Sequence, residues 1–275
     1  MRTRPQGRPG ANDRQRPRPR PQREAPGGQN REMLYGRNAV RESLRAGRRK
    51  HIRLLVADGV ERDSRLEEIE RLARGRSVRI EGITRDAIEA MVNSNHQGVV
   101  LESSAYPYAT EVNLKRLAAE KSIVLALDGI SDPRNVGTLL RTAEAVGVAL
   151  VVIPSDRAVG ITPAVVNASS GAVEHMEILR ETNMARWLGH AREAGLWTVG
   201  LAAGEGSTPL FDTDVAAPVV LVVGSEGRGI RRLVREQCDL VVSLPMTGQI
   251  ESLNAAVAGS VALYEIHRDS VHESR

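Results

Sequence analysis

Five side chains hold most of the chemistry this sequence offers. Asn135 and Arg141 lie in DPRNVGTLLRTAEAVG (132–147), Glu226 in GSEGRG (224–229), and Ser252 and Asn254 in LPMTGQIESLNAAVA (244–258). Taken singly, each has a plain reading. Asn135 and Ser252 are residue types that cap helices, and Arg141 is an ordinary surface residue. Asn135 and Arg141 are six positions apart, so one helix face holds both only if Asn135 precedes the helix start. Ser252 has neither a G-x-S-x-G setting nor a His or Asp partner, which argues against a hydrolase nucleophile. The glycines of GSEGRG are spaced GxxGxG, not GxGxxG, and no GxxxxGK[ST] occurs. Glu226 would sit badly beside a pyrophosphate and well beside hydroxyls or a positive charge. Six scattered His and one Cys form no recognisable metal-ligand set.

These side chains need elements to position them. Each of the three stretches reads as an apolar strand, a polar loop, then a helix. Open α/β sheets place ligands in loops at the carboxyl ends of their strands. The strands SIVLALD (122–128), ALVVIP (149–154), LWTVGL (196–201), PVVLVVG (218–224) and LVVSLP (240–245) lack polar alternation, as expected of a parallel sheet buried on both faces. Helices are expected at 138–147, 183–195, 230–237 and 254–267, with a short helix and then a strand near Met176 between 161 and 178. Ahead of this lies a smaller α/β unit. YGRNAVRESLRAG reads as a helix, followed by strand 52–57, helix 65–74, strand 78–80, helix 84–92 and strand 98–103. Its polar loop VNSNHQG, with Asn93, Asn95, His96 and Gln97, is a candidate RNA contact. The expected organisation is a tail at 1–31, a small α/β domain at 32–105, a linker at 106–121 and a second α/β domain at 122–270.

Composition narrows the class. The chain of 275 residues is 41% hydrophobic but only 3% aromatic, so its core must be aliphatic. Residues 1–31 hold nine Arg and two acids, a balance of +7; the whole chain carries +4, leaving −3 for the remainder. A segment of Arg, Pro, Gly and Gln is expected to be disordered and to track phosphates. The single Cys238 sits in an apolar run, as a buried inert thiol would, and excludes an intrachain disulfide. No apolar run approaches a membrane helix, and a cytoplasmic protein is expected.

In combination the stretches are specific. Asn135 and Arg141, Glu226, and Ser252 with Asn254 resemble, in order and spacing, the three motifs of the SpoU (TrmH-type) branch of the SPOUT RNA methyltransferases. The resemblance spans about residues 122–267. The front domain, from YGRNAV, is similar to the ribosomal-protein-like substrate-binding domain of the same enzymes, most of all those that methylate a guanosine 2′-hydroxyl of 23S rRNA. The resemblance implies a C-terminal sheet tied in a deep trefoil knot and a homodimer with active sites near the interface. It also implies S-adenosylmethionine as cofactor and RNA, rather than DNA or a membrane, as partner. By the same resemblance the backbone around Gly224, Leu244, Met246, Ile250 and Leu253 would hold the adenine and ribose. Arg141 would act on the reacting ribose, Asn135, Ser252 and Asn254 would orient the reactants, and Glu226 would hold an arginine or the loop. Related enzymes with the same three motifs modify tRNA or other rRNA sites, which leaves such a target as an alternative, and two rivals remain on the residues alone. One is a non-catalytic RNA-binding protein, and the other is a dinucleotide-dependent enzyme with the wrong glycine spacing.

Overall fold

The computed structural model describes residues 31–273, apart from 157, 205 and 251. The tail expected at 1–31 therefore lies outside the described residues, except for Arg31. That residue opens a strand and pairs with Glu102 at 2.7 Å.

The front half is a four-stranded mixed sheet in the order β1-β4-β2-β3, formed by β1 (Arg31–Tyr35), β2 (His51–Ala57), β3 (Arg79–Ile83) and β4 (Val99–Ser104). β2 and β3 are parallel, and β4 runs antiparallel to both β1 and β2. Helices α1 (Arg37–Ala46), α2 (Ser64–Gly75) and α3 (Arg85–Met91) accompany it. α2 opens on Asp63, whose side chain caps Leu66 N–H, and buries Leu66, Ile69 and Ala73 at helical spacing. β1 was not expected from the sequence. It is an edge strand, REMLY, with only Leu34 fully buried, so its apolar signal is weak. His96, a candidate RNA contact, is buried; its Nδ1 accepts the Gly98 N–H at 3.1 Å and holds the turn into β4.

After α4 (Leu114–Ala119) comes a seven-stranded sheet, parallel throughout, in the order β7-β6-β5-β10-β8-β11-β9. Its strands are β5 (Ile123–Asp128), β6 (Leu150–Pro154), β7 (Ile178–Glu181), β8 (Trp197–Leu201), β9 (Thr208–Pro209), β10 (Val219–Gly224) and β11 (Leu240–Ser243). Every residue of β5, β6 and β10 is buried, which explains their unbroken apolar runs. Around them lie α5 (Pro133–Ala145), α6 (Pro163–Ala168), α7 (Met184–Glu193), α8 (Arg232–Arg235) and α9 (Ala255–Glu273). The strand expected near Met176 begins instead at Ile178, behind a 3-10 turn at Ala172–His175. Three helices also differ from expectation: α9 runs on to Glu273, six residues past 267. α5 starts five residues earlier than residue 138, at Pro133, and α8 is a single turn.

Chain order and sheet order differ in a way that builds the site. β10 enters between β5 and β8, and β11 enters between β8 and β9. All strands point one way, and the register aligns Asp128 with Gly224, and Leu201 with both Val223 and Val242. The loops that leave β5, β8, β10 and β11 therefore emerge together.

The halves meet through buried charge. The Arg49 and Glu174 side chains are 0% and 1% exposed, and Nη2 of Arg49 lies 2.8 Å from Oε1 of Glu174. Arg49 also reaches Glu32 at 2.6 Å, and the Tyr106 hydroxyl donates to Met176 C=O at 2.7 Å.

Candidate active site

GSEGRG is a closed turn, not a loop running straight into a helix. Ser225 and Gly229 exchange backbone hydrogen bonds at 3.1 and 2.8 Å. A Cβ on Gly224 would fall 2.2 Å from the Gly229 carbonyl carbon, so only glycine lets the turn fold back on the end of β10. Asp128, buried at the end of β5, fixes the exit of this turn by accepting from Arg231 N–H at 2.7 Å and from its Nε at 2.6 Å. The turn thereby lifts Glu226 over the carboxyl end of the sheet.

Glu226 gathers the other two motifs. Its Oε1 accepts from Asn135 Nδ2 at 2.9 Å, Asn254 Nδ2 at 2.6 Å and Ala255 N–H at 3.4 Å. Asn254 Nδ2 also donates to Asn135 Oδ1 at 2.9 Å. Three residues spread over 119 positions thus form one network. The helix caps are not those expected. Asp132 caps α5, with Pro133 as first residue, so Asn135 lies within the first turn and its side chain is free to reach Glu226. Asn254 caps α9, accepting from Ala256 and Val257 N–H at 2.9 and 3.2 Å, while Ser252 stays exposed. Asn254 therefore uses its oxygen for the helix and its nitrogen for the network.

Beside this network opens a cleft of about 690 Å³. Gly224, Glu226, Leu244, Met246, Ser252, Leu253 and Asn254 all line it. So do Leu201, Ala202 and Ala203 at the end of β8, which the sequence did not single out; their signal was only that β8 ends at the same level as β10. Two expected residues lie elsewhere. Ile250 is 65% exposed and is not part of the wall. Arg141 projects from α5 in another direction from Asn135, as their spacing requires, and donates from Nη1 to Ser170 Oγ at 3.2 Å. Cys238 takes no part. Burial, with the Asp239 charge beside it, pushes its thiol pKa up to about 11, leaving it protonated and inert near neutral pH.

The cleft is of small-molecule size and combines apolar walls with a few convergent polar groups. Leu201, Val223, Leu244, Met246 and Leu253 suit an adenine, the backbone ends of three strands suit its polar edge, and Glu226 suits a positive centre. These residues fit S-adenosylmethionine.

Comparison with known proteins agrees. Residues 122–264 match the model of the SpoU rRNA methylase family. The chain belongs to that family. Residues 33–109 match the model described as RNA 2′-O ribose methyltransferase substrate binding. The chain is 41% identical to a putative TrmH family tRNA/rRNA methyltransferase of Bacillus subtilis (strain 168), over 87% of this chain and 96% of that one. It is similar in structure to an AdoMet-bound rRNA methyltransferase from Sinorhizobium meliloti, with TM-score 0.72, 25% identity and 87% of each chain covered. It is also similar to the SpoU methyltransferase AviRb from Streptomyces viridochromogenes, with TM-score 0.73, 25% identity, and 89% of this chain and 91% of that one covered. This SpoU enzyme is thus an S-adenosylmethionine-dependent RNA 2′-O-methyltransferase. Both the non-catalytic and the dinucleotide readings fall.

Proposed function

We propose that this enzyme methylates the 2′-hydroxyl of one guanosine in 23S rRNA and works as a cytoplasmic homodimer. The observation that carries the reading is the Asn135–Glu226–Asn254 network beside a cleft of mixed polar and apolar lining at the carboxyl end of the sheet. When bound, S-adenosylmethionine supplies a methyl group made electrophilic by its sulfonium. Gly224, Leu244, Met246 and Leu253 hold the cofactor; Ile250, which stands outside the wall, would have to fold inward to join them. Glu226 fixes the two asparagine amides, and Asn135, Ser252 and Asn254 orient the ribose. In-line alignment is the largest contribution available, up to ~7–11 kcal/mol.

Arg141 is the catalytic residue of this reading. A guanidinium keeps its proton far above neutral pH, so it is not the base. It holds the neighbouring phosphate and stabilises the negative charge left on the ribose oxygen as the 2′-hydroxyl proton passes to water, so that this oxygen can take the methyl group. Arg141 points away from the network of its own chain, and this favours delivery across a dimer. α9 exposes Val257, Val261 and Tyr264 at helical spacing, an apolar stripe suited to a second copy. α9 packs on α5 next to Arg141, where Ser260 donates to Thr142 at 2.9 Å. We also read the entry of β10 and β11 between placed strands as the trefoil knot of the family, with 32–105 as the substrate-binding domain and 122–270 as the methyltransferase domain.

The test is to map 2′-O-methyl positions in rRNA and tRNA from cells with and without this protein. Loss at one 23S guanosine is expected. Loss at a tRNA position alone would move the target and leave the chemistry in place.

A further inference from the structure

α5 carries two arginines with different partners. Arg134 pairs with Asp132, whereas Arg141 donates to the neutral hydroxyl of Ser170. Among the described residues, no carboxylate pairs with Arg141. A neutral acceptor orients a guanidinium without cancelling its charge, and that charge is what a phosphate or a developing alkoxide needs.

Ser170 occupies an unusual backbone conformation, with φ +55°. That angle belongs to the residue that closes α6: Ser170 N–H donates to Asn167 C=O at 2.9 Å and Gly171 N–H to Val166 C=O at 2.8 Å. The turn so formed packs against the front half of the molecule. A Cβ on the next residue, Gly171, would lie 2.6 Å from Glu42 Cβ and 3.1 Å from Asn38 C=O, both on α1. Three residues before Ser170, Asn167 Nδ2 donates to Tyr35 C=O at 3.0 Å, at the end of β1. Beyond it, His175 Nε2 lies 3.0 Å from Glu42 Oε2. The turn from 167 to 171 is therefore gripped on both sides by the half that matches the substrate-binding model, and its middle residue holds Arg141.

We propose that Ser170 is a positioning residue for methyl transfer: its hydroxyl aims the Arg141 guanidinium from a turn that closes α6 and is held in place against the substrate-binding half. This rests on the reading of Arg141 as the catalytic residue. Seating of the front half and aim of the guanidinium then become one structural variable.

Four full-length proteins test this: the wild type, Ser170→Gly, Ser170→Asn and Arg141→Ala. Each is assayed for transfer of a radiolabelled methyl from S-adenosylmethionine to ribosomal RNA from cells lacking the protein. Cofactor Kd and Tm are measured alongside. Glycine removes the hydroxyl and also relieves the positive φ, so a hydroxyl with no part in aiming Arg141 predicts an equal or higher Tm and full activity. The proposal predicts the same equal or higher Tm and unchanged cofactor Kd, with kcat lower by about ten-fold, the value of one lost orienting hydrogen bond. Asparagine tolerates the left-handed region and restores an oxygen acceptor, so Ser170→Asn recovers most of that loss. Full activity of Ser170→Gly beside an inactive Arg141→Ala overturns the proposal and leaves the reading of Arg141 intact. Full activity of Arg141→Ala overturns both. A Ser170→Gly protein that loses Tm or cofactor affinity together with rate shows a structural role and also overturns the proposal.

Discussion

Glu174 and Glu226 each tie together distant parts of the chain, but with opposite kinds of partner. Glu174 is sealed at the joint between the halves and meets a fully buried guanidinium, with both carboxylate oxygens 3.0 Å from Arg49 Nε. Glu226 lies at the mouth of a cleft and is held by two amides and a backbone N–H, all neutral. A charge pair that neutralises itself and excludes water fixes a geometry but offers nothing to a ligand. A carboxylate held by neutral donors keeps its charge for whatever enters the cleft. The same side chain is thus structural in one place and functional in the other, and the identity of the partner decides which.

This comparison breaks if the two sites respond alike to mutation. The largest effect on folding is expected from Glu174→Ala, which leaves Arg49 buried with only Glu32 as a charged partner; about 3–5 kcal/mol should be lost in denaturant unfolding. Glu226→Ala should do the reverse. Its unfolding free energy should fall by only about 1 kcal/mol, while methyl transfer drops by about 10²–10³-fold, as for removal of a preorganised electrostatic group.

A third expectation sharpens the contrast between buried charge and buried neutrality. Burial, with the Arg76 and Arg49 charges nearby, lowers the pKa of His51 to about 4. The unfolded chain then binds more protons than the folded one between about pH 4 and 6.5. Stability should be complete above pH 6.5 and fall as the pH drops through this window. His51→Gln should flatten that part of the stability–pH curve. Asn254→Ala removes both a cap and a network donor, so it should cost about 1 kcal/mol of stability and most of the activity. The smallest effect on the folded body is expected from deleting residues 1–30. If the arginines there contact phosphates, RNA binding should weaken and its salt slope flatten, with no change in Tm.

Much of this was legible in the sequence because strand burial is written in composition. The unbroken runs of β5 and β10 announced a parallel sheet, and the polar loops behind them announced where a ligand belongs. The meeting of Asn135, Glu226 and Asn254 followed from three strands ending at one level. Other features leave no local trace. Arg49 and Glu174 are 125 residues apart, and Arg141 and Ser170 are 29 apart. Nothing in their spacing signals contact, because it depends on how two halves dock. β1 was hidden by its edge position, which leaves only Leu34 fully buried. The caps were misplaced because Asp132 outcompetes Asn135 one turn earlier, and because Asn254 serves two roles that sequence cannot separate.

The central claim is that loops from separate strands form one site for 2′-O-methyl transfer around Glu226. Its most direct test is alkaline hydrolysis of RNA methylated in vitro by the wild type and by Glu226→Ala, since a 2′-O-methyl group blocks cleavage at its own nucleotide. The account predicts labelled, alkali-resistant dinucleotides from the wild type and almost none from a folded Glu226→Ala protein. Equal amounts from both proteins would contradict it.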